Sequence, residues 1–515
     1  MSYNLDDFQV IREGKAEILA PKEEKVFYNP IQQFNRDLSV TAINAWAELR
    51  QETLEKKRAK KEQAQKEKFQ FDILEALSAT GLRAIRYGHE IPGARRIVAN
   101  DLLPEAVAAI TRSVEHNRLQ HKVVPNQGDA IKYMAATSDK FHVIDLDPYG
   151  TAAPFIDSAL QTIEDDGLLL VTCTDAGVLA GSGYPEKCFA LYGGNNFGNG
   201  GFINGESNHE AGLRLILHMI ATTAAKYKKA IEPVLCLSID FYMRCFVRVR
   251  TAPLQVKQLS ASTILAYGCN GCGHKHLQPL GRTSGSKHQY PKLERTISGE
   301  CAYCGSFYTV AGPMWGGRLH NHQFIDRMLA LNASADRAVY GTTERIKGML
   351  TVARAEMEDQ PFYFNLNQLS SIFKTSPISI NEFVRAVGGL GHRVSLTHAK
   401  TNCIKTDAPW KTILQVKREW LRKGNEEYLA SIEGKELSEK NQAKADKIKV
   451  DIYCSPNLSE TTTGYKILHR VQEPLEVNFA TDNDMSVEIN RLRKVKMVRY
   501  QENPTKNWGP KARPK

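Results

Sequence analysis

Glu75-Ala76-Leu77-Ser78-Ala79-Thr80-Gly81-Leu82-Arg83 ends one apolar run, Phe71–Leu77, and opens an amphipathic stretch that reaches Glu90. An apolar run that passes through a short Ser/Thr/Gly turn into helical periodicity predicts a strand feeding a helix. Outward from this point the alternation continues through Ile97–Ala99, a helical stretch to Asn117, Val123–Pro125 and Phe141–Leu146. Strands alternating with helices predict a parallel sheet covered on both faces. Three more runs, Gly167–Thr172, Pro233–Phe241 and Phe246–Thr251, extend it, and the last two are close enough in sequence to pair antiparallel. The expectation is an α/β, Rossmann-like doubly wound sheet with an antiparallel edge.

The rest of the chain is read against that sheet. Its 515 residues exceed one domain, and 68 Lys+Arg against 57 Asp+Glu give a formal charge of +11, which suits an acidic partner. At 42% hydrophobic and 24% charged the composition excludes a disordered or fibrous chain. No apolar run approaches the ~18 residues of a membrane span. Met1–Lys15 carries Asp6, Asp7 and Glu13 and no apolar core, so it reads as neither a secretory signal nor a transit peptide. Gln51–Lys68, with seven Lys/Arg and four Glu, reads as a solvated helical extension or linker. Boundaries are therefore expected at 1–70, 71–255, 256–320, 321–490 and 491–515. Within the fourth segment, Pro361–Trp410 is compatible with a winged-helix-like α/β module, followed by a long charged helix over Thr412–Ile448.

The turn at Ser78–Gly81 has one glycine, whereas a pyrophosphate needs a Gly-rich loop that lets the backbone approach. It argues against a dinucleotide and leaves room for a cofactor without phosphate, such as S-adenosylmethionine. Asn100-Asp101 closes the second run, where a carboxylate can accept from ribose hydroxyls, and Gly128-Asp129-Ala130 follows the third, where one can accept from an adenine amino group. Each aspartate taken alone is equally a helix cap or turn residue. Their succession at consecutive strand ends favours the cofactor. Asp147-Pro148-Tyr149-Gly150 follows the fourth run and is, by itself, a good β-turn. It also has the parts that methylation of a nucleobase amine requires, namely a carboxylate to hold the N–H groups, a ring to stack the extruded base, and a proline to stiffen the loop.

The chain resembles the tRNA guanine-26 N2-dimethyltransferase family in its eukaryotic form. The resemblance rests on Glu13-Gly14-Lys15-Ala16, Phe27-Tyr28-Asn29-Pro30, Phe34-Asn35-Arg36-Asp37, Ala76 to Arg83, Ile144 to Gly150 and Thr397-His398. It implies a class I methyltransferase that moves two methyl groups from S-adenosylmethionine to N2 of one tRNA guanosine, with tRNA as partner and no protein partner or membrane. It further implies Arg36 and Arg83 at the cofactor's carboxylate end, Asp101, Asp129 and Ala130 at its ribose and adenine, and Phe27 sandwiching the base with Tyr149. The implied location is the nucleus, with mitochondrion or cytoplasm also open. An adenine N6 methyltransferase and a non-catalytic zinc-dependent RNA-binding protein are the competing readings. Thr174-Asp175 and Asn208-His209-Glu210 read as helix caps more than as catalytic groups, and Gly193–Gly205 as a mobile loop.

Cys269-x-x-Cys272 and Cys301-x-x-Cys304, each followed by glycine, have the spacing of two knuckles that converge on one zinc. His274 or His276 could replace a cysteine, and solitary buried cysteines such as Cys173, Cys188 and Cys236 show the bland alternative. A four-thiolate site is closed and therefore structural, shaping a basic knob with Lys275, Arg282, Lys287 and Lys292. Arg491–Lys515 has nine Lys/Arg and one acid, as a tRNA-contacting tail or a nuclear address would.

Overall fold

The computed structural model describes residues 5–22, 28–60, 68–199, 202–285, 287–293 and 297–497. Its centre is a sheet of seven strands, labelled here β1 (Phe71–Glu75), β2 (Ala94–Asp101), β3 (Val123–Gln127), β4 (Phe141–Leu146), β5 (Ile163–Cys173), β6 (Lys229–Ile239) and β7 (Tyr242–Thr251). Their spatial order is β3-β2-β1-β4-β5-β7-β6. The first five run parallel, with Ile73 opposite both Ile97 and Val143, and β7 runs antiparallel to β5 and β6. The order reverses between β1 and β4, and the crevice at their carboxyl ends is where an open α/β sheet takes its ligand.

Strand residues alternate between two apolar layers. Ile73, Ile97, Val143 and Leu170 face one side, where Gln33–Ala59, Leu82–Glu90 and Pro104–His116 pack, together with His322–Ala333 and Thr343–Ala355. Leu74, Val98, Ile144 and Leu169 face the other, under Ala153–Thr162 and Asn208–Lys226. The helix expected as a solvated extension near Gln51 in fact starts at Gln33, and its first half, from Phe34 to Trp46, is buried against the sheet. Only its charged end projects. Residues 61–67 of the expected linker lie outside the described residues.

After β7 a three-stranded sheet, Lys275–Pro279, Thr263–Cys269 and Tyr308–Trp315, carries the cysteine pairs. Thr343–Ala355, Phe364–Asn365, Leu366–Ile372, Ile380–Gly389, Val394–Leu396 and Cys403–Thr406 follow in the helix–strand–helix–helix–strand–strand order of a winged helix. The long helix expected over Thr412–Ile448 is two, Trp410–Ile432 and Glu439–Val450, because Gly434 stands between them. The region expected as a basic tail begins as ordered helix, Asp484–Arg493, in which Arg491 pairs with Glu488 at 2.7 Å. Residues 498–515 lie outside the described residues.

The exposed edge of β6 is closed by this second half of the chain. Val234 O accepts from Asn321 N–H (2.9 Å), and Ser238 N–H donates to His398 Nε2 (3.1 Å). An uncovered edge strand invites pairing with another chain, so these bonds both protect the sheet and fix the C-terminal half to it.

Candidate active site and metal centre

The three loops at the carboxyl ends of β1 to β3 are tied to one another by backbone and amide bonds. Ser78 N–H donates to Asn100 O (2.8 Å) and Gly128 N–H to Asp101 O (2.9 Å). The Asn100 amide donates to both Ala76 O (2.9 Å) and Gly128 O (3.0 Å). Asp101 accepts one backbone N–H on each oxygen, from Ala79 (2.8 Å) and Leu103 (3.0 Å). Each oxygen keeps a second lone pair for a ligand. Gly81 sits at φ +76° just before helix Leu82–Glu90, a conformation that one glycine suffices to give. Asp129 is the N-cap of Ala130–Ala136 and takes the N–H groups of Ile131 and Lys132, both on Oδ1. The capping role considered for it from sequence is thus present.

Beneath the loops lies a buried ionic cluster. Arg83, the second residue of its helix, is ion-paired with Asp147, donates to Ser39 Oγ (3.1 Å) and stands 3.4 Å from Asp145. Arg244 of β7 donates to Asp145 (2.9 Å), Thr172 Oγ1 (2.7 Å) and Ser39 Oγ (2.8 Å), and Tyr87 OH donates to Asp145 (2.6 Å). Burial by itself would raise the Asp145 pKa, but Arg244 and Arg83 outweigh it and hold the carboxyl below its usual range. Glu75 goes the other way, pushed up to about 8 by burial despite Arg83. With Glu75 neutral, two guanidiniums face two carboxylates, Asp145 and Asp147, and the buried charge closes.

Asp147-Pro148-Tyr149-Gly150 leaves β4 with Pro148 buried and the Tyr149 ring 47% exposed. Burial and the neighbouring Asp147 push the Tyr149 hydroxyl up to about 12. Thr174 braces the loop, its hydroxyl accepting from Gly150 N–H (2.7 Å) and its N–H donating to Gly150 O (2.8 Å). The Tyr192 hydroxyl lies 2.8 Å from both Thr151 Oγ1 and Asp175 Oδ2. Thr174 and Asp175 therefore support the loop. Asn208 instead pins the Gly-rich segment, accepting from Phe197 N–H (2.9 Å) and donating to Gly198 O (3.1 Å), while residues 200 and 201 lie outside the described residues.

Arg36 is placed on helix Gln33–Ala59, one turn before Ser39, the hydroxyl that receives both Arg83 and Arg244. Its guanidinium is held by Glu13, with Nε 2.7 Å from Oε1, and by Asn29 O (3.0 Å). Glu13 is shared with Arg86 (2.8 Å), which also pairs with Asp37 (2.7 Å) and Glu90 (2.9 Å). Phe27 lies outside the described residues. Glu13, Arg86, Asp145 and Arg244 were given no role by sequence. The one available signal was a charge inside an apolar strand, as at Asp145 and Arg244.

The four cysteine sulfurs converge with all four residues fully buried. The Sγ atoms of Cys269 and Cys304 are 3.3 Å apart and those of Cys272 and Cys301 3.7 Å. A tetrahedron with zinc–sulfur bonds of ~2.3 Å spaces its sulfurs by about 3.8 Å, so the thiols are gathered for one such ion. Gly273 (φ +81°) and Gly305 (φ +71°) follow the pairs and turn the chain back, as the spacing implied. His274 is bonded to the Tyr308 hydroxyl (2.9 Å). Lys275 does not stand free on a basic surface: it is half-buried, its ammonium over the Phe197 ring and its pKa pulled down to about 8 by desolvation.

His320, Glu356 and His398 also bring ligand atoms within 4.8 Å of one another. Here the carboxylate already has a cation, since Lys405 Nζ stands 3.0 Å from Glu356 and 3.0 Å from Glu210. The amide of Ser238 occupies His398 Nε2, which leaves the Nδ1 proton for Glu356 at 2.8 Å. The group is an ion-paired latch between the sheet and the winged-helix unit, and burial holds His320 neutral, down to about 3.

A β3-β2-β1-β4-β5-β7-β6 sheet whose carboxyl edge presents acids on successive loops defines a Rossmann-like class I methyltransferase. Residues 7–418 match the sequence profile of the N2,N2-dimethylguanosine tRNA methyltransferases, and the chain belongs to that family. It is 46% identical to the mitochondrial tRNA (guanine(26)-N(2))-dimethyltransferase of Saccharomyces cerevisiae, over 99% of this chain and 93% of that one. It is 35% identical to the tRNA (guanine(26)-N(2))-dimethyltransferase of Homo sapiens, over 98% of this chain and 77% of that one. Among solved structures it is similar to Trm1 from Pyrococcus horikoshii in complex with S-adenosyl-L-methionine, with TM-score 0.64 and 26% identity over 79% of this chain and 99% of that one.

Proposed function

We propose that the chain dimethylates N2 of guanosine 26 in tRNA, with S-adenosylmethionine as methyl donor and the Asp147-Pro148-Tyr149 turn as the base site. The observation that carries this reading is the placement of Asp147 just past the carboxyl end of β4, tethered to Arg83 in the first turn of the helix that follows β1. When bound, S-adenosylmethionine supplies an electrophilic sulfonium methyl. The donor set suits it: Asp101 retains lone pairs for two ribose hydroxyls, Asp129 and Ala130 line the next loop, and the single-glycine turn has no phosphate cradle. The family resemblance assigns the cofactor's carboxylate to Arg83 and Arg36, which are ion-paired with Asp147 and Glu13 in the structure and would share their guanidiniums with it.

Guanine N2 is a poor nucleophile because its lone pair is delocalised into the ring. An acceptor that takes its N–H bonds aims that lone pair at the methyl and receives the charge that develops on nitrogen. Asp147 is that acceptor in this reading, and Tyr149 and Phe27 stack the extruded base. The amine loses one proton per transfer, and Asp147, partly open to solvent, gives it a route out. Monomethylated N2 still carries one N–H, so the same carboxylate serves the second transfer.

Incubation with labelled S-adenosylmethionine and tRNA, then nucleoside analysis, tests this reading; Asp101→Ala weakens cofactor binding in calorimetry if Asp101 holds the ribose. For location, we place the chain in mitochondria, as the name of the S. cerevisiae relative suggests, and in the nucleus on the family resemblance alone. Fluorescence of a tagged chain with and without residues 498–515 tests that.

A further inference from the structure

Between Asp240 and Glu294 the sequence has no carboxylate and eight Lys or Arg. The structure sorts these cations. Arg244, Arg248 and Arg250 are ion-paired with acids of the catalytic sheet, Lys257 is exposed six residues past β7, and Lys275 is half-buried over the Phe197 ring. Arg282, Lys287 and Lys292 are exposed and have no acidic partner among the described residues. They sit on one projection. Strands Arg282–Ser284 and Lys287–Gln289 pair antiparallel, and Tyr290–Leu293 continues from them.

The projection is fixed at its root. Leu280 N–H donates to Thr263 O (2.8 Å), Gln278 Nε2 donates to Lys292 O (3.0 Å) and Arg282 Nε to Tyr290 O (3.1 Å). Strand Thr263–Cys269, to which it is anchored, is part of the cysteine-bearing sheet. That sheet in turn bonds the Gly-rich segment of the catalytic domain, through Asn195 and Gly312 (2.7 and 3.2 Å). At its end Tyr290 is 92% exposed, and Leu293 is exposed beside it. A nearly bare tyrosine among unpaired cations gains nothing for the fold, whereas phosphate contact plus base stacking is the usual chemistry of a surface that grips RNA.

We propose that the projection made by Arg282–Gly285 and Lys287–Leu293 is an RNA-docking arm, its cations contacting phosphates of the tRNA body and Tyr290 stacking on an unpaired base outside the catalytic pocket. The proposal rests on the tRNA reading above. A target base stacked in a folded junction costs a few kcal/mol to extrude, and phosphate contacts away from the pocket can supply this.

The test uses the full chain. Arg282→Ala, Lys287→Ala and Lys292→Ala are combined and compared with a control of equal charge change on exposed sites elsewhere, Lys435→Ala, Lys440→Ala and Lys449→Ala. Binding of unmodified tRNA is titrated against salt. The arm variant is expected to lower the slope of log K on log salt by about 0.7–0.9 per lost contact, with S-adenosylmethionine affinity and zinc content unchanged and the control close to wild type. Tyr290→Ala should weaken tRNA binding about 5–100-fold without changing the slope, and Tyr290→Phe should restore it. An unchanged slope in the arm variant, or an equal drop in the control, overturns the arm. Wild-type transfer to tRNA is read in parallel. Transfer with an unchanged arm-variant slope overturns the arm alone, whereas absent transfer overturns the functional reading.

Discussion

Arg83 bridges Ser39 Oγ, at 3.1 Å, and the carboxylate of Asp147, so the first turn of the helix after β1 holds the loop that leaves β4. The fork of the guanidinium makes this possible: one arm is fixed in the buried cluster and the other is offered to the loop.

Arg83→Lys keeps the charge and loses the fork. Transfer to tRNA is expected to fall about 10-fold or more in kcat, because a lysine cannot hold Ser39 and Asp147 together. Arg83→Ala leaves Asp145 and Asp147 short of one cation and is expected to destabilise the chain by about 3–5 kcal/mol. Unchanged kcat in Arg83→Lys, in a sample with wild-type thermal unfolding, contradicts the bridging role.

Asp147→Ala removes the acceptor at the reacting amine and leaves the carboxyl-end loops of β1 to β3 tied as before. S-adenosylmethionine binding is expected within a few-fold of wild type, while transfer drops by ~10²-fold or more. Calorimetry and single-turnover transfer on the same preparation separate the two effects. Wild-type turnover would remove Asp147 from the chemistry.

The cysteine site predicts about one zinc per chain by elemental analysis. Cys301→Ser is expected to lose that metal and much solubility, since the four cysteines are part of the apolar core shared with the winged-helix unit. The catalytic sheet has separate cores and should retain cofactor binding. Metal content equal to wild type in Cys301→Ser means a different ligand set.

The latch at Lys405 gives a pH-dependent prediction. Burial opposes the charge of Glu356, but Lys405 and His398 outweigh it and hold its carboxyl well below the ordinary range. A depressed carboxyl contributes its full stability above the unfolded pKa of ~4.3, and that contribution is lost as pH falls through the folded value. Lys405→Met leaves Glu356 with His398 as its partner, whereas Glu210 keeps Arg214 at 2.7 Å, and is expected to cost about 3–5 kcal/mol at pH 7. The gap to wild type in denaturant unfolding should narrow as pH falls from 7 to ~4.3, as the stranded carboxyl of the variant takes up its proton, and further as pH falls through the depressed wild-type value. A gap independent of pH contradicts the ion-pair account.

Much of the catalytic sheet was legible because β1, β4 and β5 are buried on both faces and read as continuous apolar runs. Asp101 and Asp147 stood out because strand ends are local features. Arg36 could not be read from local pattern, since its partner Glu13 is 23 residues away and the sheet under it starts only at Phe71. The same holds for Arg244, whose bond to Asp145 spans 99 residues. Lys275 was misplaced for a related reason: composition around the cysteines signals a basic surface but says nothing of which cation folds, half-buried, onto the Phe197 ring. The Thr412–Ile448 region misled because charged residues suit a helix whether or not Gly434 interrupts it.

The central claim, transfer of two methyl groups to one guanosine of tRNA, is tested most directly by counting methyl groups on a single substrate. Purified chain, labelled S-adenosylmethionine and an unmodified tRNA with guanosine 26 are taken to completion, beside the same tRNA with adenosine at that position. Two methyl groups per tRNA, recovered as N2,N2-dimethylguanosine, and none in the adenosine variant are the expected result. Equal labelling of the two tRNAs, label recovered as N6-methyladenosine, or no label with an enzyme that binds both ligands would contradict it.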